Sequence, residues 1–177
     1  MSEQWTIDFG DFDQFMNELS TLYPDVVADE ARDTMEKSMW VFHQAVDLET
    51  PVGVSGNLRA ANAVEMTGTP VELVGMLVNP LPYAWVVERG RMAGRMPPIG
   101  PIELWVIRKD LGWTYTTKSG KTVPMTTHQM AFVIARAIGR RGTKGAAMFH
   151  KGFRVALPHV ERLWEGLPGR VVTRLSK

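Results

Sequence analysis

The sequence predicts an α+β fold: a long N-terminal helix packed on a small antiparallel sheet, with further helices in the C-terminal half. Three observations predict it. Apolar residues between Pro24 and about Asp47 recur at helical spacing. Two strand-like runs follow, separated by the turn Thr67-Gly68-Thr69-Pro70. Beyond Pro101 the helical period returns, interrupted by one more hairpin pattern. The chain has 177 residues, 45% apolar and 22% charged, which is ordinary globular usage and leads us to expect one α+β domain over residues 1–177.

Taken in order, Trp5-Thr6-Ile7-Asp8-Phe9 alternates and suits a short strand or an extended arm. Asp11 can cap a short helix carrying Phe12, Phe15, Met16 and Leu19. Pro24 stands where a first helical turn tolerates proline. Ala28, Ala31, Met35, Met39, Phe42 and Val46 then mark one helix of roughly 35 Å, with Asp25, Asp29 and Glu30 at the positive end of its dipole. Pro51 and Gly53 stop it. Leu58–Thr67 and Val71–Asn79 read as paired strands, the second apolar on both faces and ended by Pro80 and Pro82. Tyr83–Glu88 is a short apolar run of either class, and Arg91–Gly100 a loop of Gly, Pro and Met. Pro101 opens a helix through Ile102, Trp105, Val106 and Leu111, closed by Gly112. Trp113–Val123 is a hairpin around Ser119-Gly120. Thr127 can cap a helix through Met130, Ile134, Ala137 and Ile138, ended at Gly142. A last helix carries Phe149, Phe153, Leu157, Val160 and Trp164, with Pro158 either kinking it or starting a new segment, and residues 167–177 are expected to form a tail.

The chain contains no cysteine, so disulfides and thiolate metal sites are excluded within it. Met1-Ser2-Glu3-Gln4 has neither a basic run nor an apolar core, so no secretion signal is expected. No stretch approaches the roughly 18–20 apolar residues of a membrane span. The net charge of +1 conceals a division. Residues 1–88 hold three Lys/Arg and fifteen Asp/Glu, residues 89–177 seventeen and four, giving −12 and +13. Either the halves attract within one fold, or an acidic face of one copy meets a basic face of the next. A basic half also suits nucleic acid, although its cations are scattered among apolar residues.

Several short patterns resemble catalytic motifs and fail on spacing. Gly53-Val54-Ser55-Gly56-Asn57 lacks the glycine two residues after the serine that a nucleophile elbow needs, and it follows a helix. Its expected role is conformational, with Gly56 at positive φ. Gly142-Thr143-Lys144-Gly145 has the wrong order for a phosphate loop; Gly142 reads as a helix end with Arg140 and Arg141 against the negative pole. His43, His128, His150 and His159 show no metal-binding spacing. Glu88 has no second group placed by the sequence for acid–base work, so a structural or interface role is expected for it and for Arg59. Met92, Met96, Met125 and Met148 fall in expected loops, suited to surfaces that repack on a partner or to lining the core.

In order and spacing, four segments resemble the tail-completion, or head–tail joining, proteins of tailed bacteriophages. Thr50, Pro51, Val52, Gly56, Leu58 and Arg59 match the family's Thr-Pro-Val…Gly-x-Leu-Arg turn, with one extra residue before the glycine. Tyr83, Ala84, Val87, Glu88 and Gly90 match its Tyr-Ala-x-x-Val-Glu-x-Gly segment. Pro97, Pro98, Ile99, Ile102, Trp105 and Val106, then Arg141, Gly142, Thr143, Lys144 and Phe149, match features of a subset. The resemblance spans roughly residues 24–165; the Trp113–Val123 hairpin and the tail have no counterpart in it.

The resemblance implies a non-enzymatic virion protein of the neck or head-proximal tail end, without cofactor or metal. It implies self-association as a cyclic oligomer, six copies by analogy. Its partners are then the neck connector and the tail-terminator or tail-tube proteins, assembled in the host cytoplasm without a membrane. Genomic DNA passes through such an assembly, and specific binding to it is not expected. The alternative is a small basic-faced nucleic-acid-binding protein. Interface candidates are Arg59, Tyr83, Trp85, Glu88, Arg91, Met92, Met96, Arg141, Lys144 and Phe149. The loop 91–100 and the hairpin 113–123 are the expected interaction elements.

Overall fold

Helix α1, Pro24–Glu49, begins with proline at its first turn and ends at Thr50, whose extended backbone stops the helix. A computed structural model of the protein describes Asn17 and residues 20–53, 55–69 and 72–176. The expected Trp5–Phe9 strand and most of the short helix after Asp11 lie outside the described residues. The architecture is α+β, with the long helix and small antiparallel sheets that the sequence predicts. Where one domain was expected, the chain divides into two compact units, each assembled from separate stretches.

The first unit contains α1, the strands β1 (Ala63–Thr69) and β2 (Glu72–Val78), and the helices α6 (Met148–Glu165) and α7 (Leu167–Leu175). β1 and β2 are antiparallel, with Val64 opposite Leu77 and Met66 opposite Gly75. Alternation puts Leu73, Gly75 and Leu77 on the more covered face, Gly75 close against Met39 of α1. Val74 and Met76 on the other face are 44% and 40% exposed, so β2 is covered on one face only, not on both as its composition suggested. The expected strand from Leu58 starts later: Gly56 at φ 68° turns the chain into a single helical turn, α2 (Asn57–Ala60), that buries Leu58.

α6 packs along α1 at very close range. A Cβ on Gly152 would lie 2.6–2.8 Å from the Cγ2, Cα and N of Val46, so only glycine fits there. Around it, Val46, Met39, Met148, Ala156 and Val160 are buried, and Phe42 meets Phe153 edge-on with centroids 4.6 Å apart. Met148 is therefore core, not loop. α6 runs through Pro158 unbroken. The segment expected as a tail is instead α7, whose Leu167 and Val171 are buried with Val27.

Two buried hydroxyls on α1 organise this packing. Thr34 and Ser38 each donate to the carbonyl four residues back, at 2.7 Å. Thr34 then accepts from Arg170 of α7 at 2.7 Å, and Ser38 from the Trp164 indole at 3.1 Å. Arg174 adds ion pairs to Asp29 and Glu30 at 2.9 and 3.3 Å. A second polar junction lies at the foot of α1. Asn62, buried, donates to Asp47 Oδ1 at 2.8 Å and Thr50 Oγ1 at 3.1 Å, and accepts from Asn79 at 2.7 Å. It ties the helix end to both strands of the hairpin.

The second unit contains α2, α3 (Ala84–Arg89), β3 (Gly90–Arg91), α4 (Ile99–Arg108), the hairpin β4 (Thr114–Thr116) and β5 (Thr122–Pro124), α5 (Thr127–Arg141) and β6 (Thr143–Lys144). α4 starts two residues before the expected Pro101 and stops before Gly112, the chain reversing through Asp110 at φ 49°. α4 and α5 share a core of Val106, Met130 and Ala131, flanked by Ile99, Ile102, Leu111, Met125 and Ile134. The cap of α5 is Thr126 rather than Thr127. Its hydroxyl accepts from Gln129 N–H at 3.2 Å, and the Gln129 side chain accepts from Thr126 N–H at 2.8 Å. The buried side of α5 is Met130, Ala131 and Ala135; Ala137, expected inside, is exposed.

Candidate functional site

The two most glycine-dependent motifs of the sequence meet in the second unit. β3 pairs antiparallel with β6, Gly90 opposite Lys144 and Arg91 opposite Thr143. The contact continues as Ala146 N–H donates to Val87 O at 2.8 Å and Ala147 N–H to Glu88 O at 3.0 Å. Here backbone lies against backbone. A Cβ on Gly90, at φ 81°, would sit 2.3 Å from Thr143 O; one on Gly142, at φ 72°, would sit 2.0 Å from Arg91 O. Carbonyls in a paired ladder cannot withdraw, so both positions need glycine for space and for conformation. Gly142 ends α5 as expected, and the sequence does not reveal that it also admits the partner strand.

This junction holds α3 with its apolar side chains outward. Ala84 is buried, whereas Tyr83, Trp85 and Val86 are 46%, 57% and 41% exposed. The Arg89 guanidinium lies over the Trp85 ring, 4.2 Å from its centroid, which fixes the indole at the surface. Past β3, Arg91 Nη2 donates to Arg95 O, and Gly94 N–H donates to Gly139 O at 2.8 Å, so the loop is tied to α5. Met92, 89% exposed, and Met96 stand on that loop.

Of the ten interface candidates, nine lie in the second unit and Phe149, half-buried on the first turn of α6, lies in the first. Tyr83, Trp85, Glu88, Arg91 and Lys144 are brought together by the β3–β6 pairing. Arg141 ends α5 next to it. Arg59 sits on α2, half-buried; Glu88 is half-buried, its carbonyl engaged by Ala147. The loop 91–100 is shorter than expected, since Arg91 joins a strand and Ile99 a helix.

Charge also divides between the units, less sharply than between the halves of the chain. The second unit, residues 51–60 and 81–147, holds twelve Lys/Arg and three Asp/Glu, a net +9. The rest of the chain holds eight and sixteen, a net −8. Arg140, Arg141 and Lys144 are exposed and form no ion pair among the described residues. Tyr115 belongs to the expected interaction hairpin, whereas sequence reasoning passed over Phe132 and Val133; all three are exposed in this unit. The available signal was that α5 carries large apolar residues at 132 and 133, outside its Met130–Ile134 face.

No group of three or more His, Asp or Glu among the described residues is arranged to hold a metal ion. No described helix is long and apolar enough to cross a membrane. No family model, curated protein or solved structure matches the chain.

Proposed function

We propose that this chain is a non-enzymatic structural protein of a tailed-phage virion, completing the tail and joining it to the head. In this reading it self-assembles as a ring, six copies by analogy, between connector proteins and the tail-terminator or tube proteins, with the genome passing through. The observation that carries the proposal is the β3–β6 pairing. It unites the Tyr83–Gly90 and Arg141–Lys144 motifs, two of those on which the resemblance rests, in one surface element. That element presents Tyr83, Trp85 and Val86 outward beside cations without ion-pair partners, the composition of an interface core with a charged rim. Opposite net charges on the two units suit a head-to-tail contact, which closes into a ring if its rotation permits.

Mass spectrometry of purified tailed particles tests the reading. The chain is expected in the particle in multiple copies, and its absence from tailed particles overturns the assignment. A second reading, a nucleic-acid-binding protein, is favoured by the +9 unit alone. Tight binding of the isolated protein to duplex DNA, weakening steeply with salt, would favour that rival.

A further inference from the structure

The second unit carries an open groove of about 500 Å³ lined by Tyr115, Met125, His128, Gln129, Phe132 and Val133. Tyr115 comes from β4 and the last four from the first two turns of α5. Tyr115, Phe132 and Val133 are 43%, 42% and 44% exposed, so the groove presents apolar surface to solvent. Cations follow its lining residues in the chain. Arg136 follows Phe132 by one turn of α5, and Lys118 and Lys121 lie on the turn that joins β4 to β5. All three are exposed and without an ion pair among the described residues. Glu103 approaches the lining residue His128 at 3.5 Å. The chemistry selects a ligand with large apolar groups, several carboxylates and no positive side chain.

Residues 1–16 of this same chain have that composition. They contain Glu3, Asp8, Asp11 and Asp13, no Lys or Arg, and Trp5, Ile7, Phe9, Phe12 and Phe15. In an extended conformation the alternation of 5–9 puts Trp5, Ile7 and Phe9 on one side and Asp8 on the other. We propose that residues 1–16 of a second copy dock in this groove, aromatic groups against Tyr115, Phe132 and Val133 and carboxylates toward Arg136 and the hairpin lysines. Charge suits a second copy: two +9 units repel, whereas the +9 unit of one copy attracts the −8 remainder of another. The contact is heterologous, so each copy gives an arm and receives one. It rests on the self-association in the proposed function and is independent of a phage origin.

The absence of cysteine makes the test direct. Full-length Phe9→Cys and Val133→Cys chains, carrying tags of different size, are mixed and oxidised. The mixed disulfide dimer is expected to dominate over either homodimer. It should fall about ten-fold when Phe132→Asp is added to the Val133→Cys chain. It should fall less with Arg136→Glu, and should fall at high salt. Helix content measured by circular dichroism checks that these surface variants fold. A mixed dimer no more abundant than that formed by Phe9→Cys with Leu48→Cys, an exposed site in the other unit, overturns the proposal. So does a yield indifferent to Phe132→Asp in a folded protein. Rings present in virions without this disulfide would overturn the arm contact alone; the disulfide in a chain absent from virions would overturn the neck reading alone.

Discussion

The two units use the same kinds of residue differently. In the first, polar groups are consumed internally: Thr34, Ser38 and Asn62 are buried and fully engaged, and Arg170 and Arg174 answer the acids of α1. In the second, cations such as Arg140 and Lys144 face solvent without ion pairs, and aromatic side chains stand exposed beside them. The first unit closes on a buried polar network, the second on a short glycine-paired ladder beside exposed apolar side chains. Under the proposed function that surface meets a partner, and side chains left exposed for a partner contribute little to folding.

Substitutions can break or sharpen that contrast. The largest effect is expected from Gly152→Val, since the added carbons collide with the Val46 backbone. A loss of about 3 kcal/mol, or roughly 10 °C in thermal midpoint, is expected by calorimetry. Asn62→Ala removes the donor to Asp47 and Thr50 and the acceptor of Asn79 in a buried place. Chemical denaturation should show a loss of about 2 kcal/mol. Arg174→Ala cuts an exposed ion pair to Asp29 and a half-buried one to Glu30 and should cost about 0.5 kcal/mol, less at high salt. Trp85→Ala, in the second unit, should leave stability within about 0.5 kcal/mol. Under the proposed function the same change should nevertheless block head–tail joining in a complementation assay. A strongly destabilised Trp85→Ala would erase the contrast between the units.

Much of the local structure was legible before the fold. Pro24 opens α1 and Pro51 follows its end, Gly142 ends α5, and the Ser119-Gly120 turn sits between β4 and β5, with Gly120 at φ 80°. Where reading failed, a nearby signal was outweighed by packing. Leu58 is β-compatible, yet Gly56 redirects the chain and the leucine is buried from a helical turn. Residues 167–177, the expected tail, have no counterpart in the resemblance, yet Leu167 and Val171 find Val27 and the arginines find α1. The candidate surface was half legible: Tyr83, Trp85, Arg91 and Lys144 were singled out, whereas the groove of Tyr115 and Phe132 was not, because it needs a hairpin and a helix side by side.

The sequence by itself determined the α+β class, the long first helix, both hairpins and the charge asymmetry. These depend on periodicity, turn residues and composition, which act within a few positions of each other. Only the tertiary structure decided that Gly90 faces Lys144, that Thr34 receives Arg170, and that Ser38 receives Trp164. The last two partners are 136 and 126 residues apart. A buried hydroxyl or a bare glycine specifies no partner on its own. Its partner is fixed when distant segments pack and every polar group removed from water must find another.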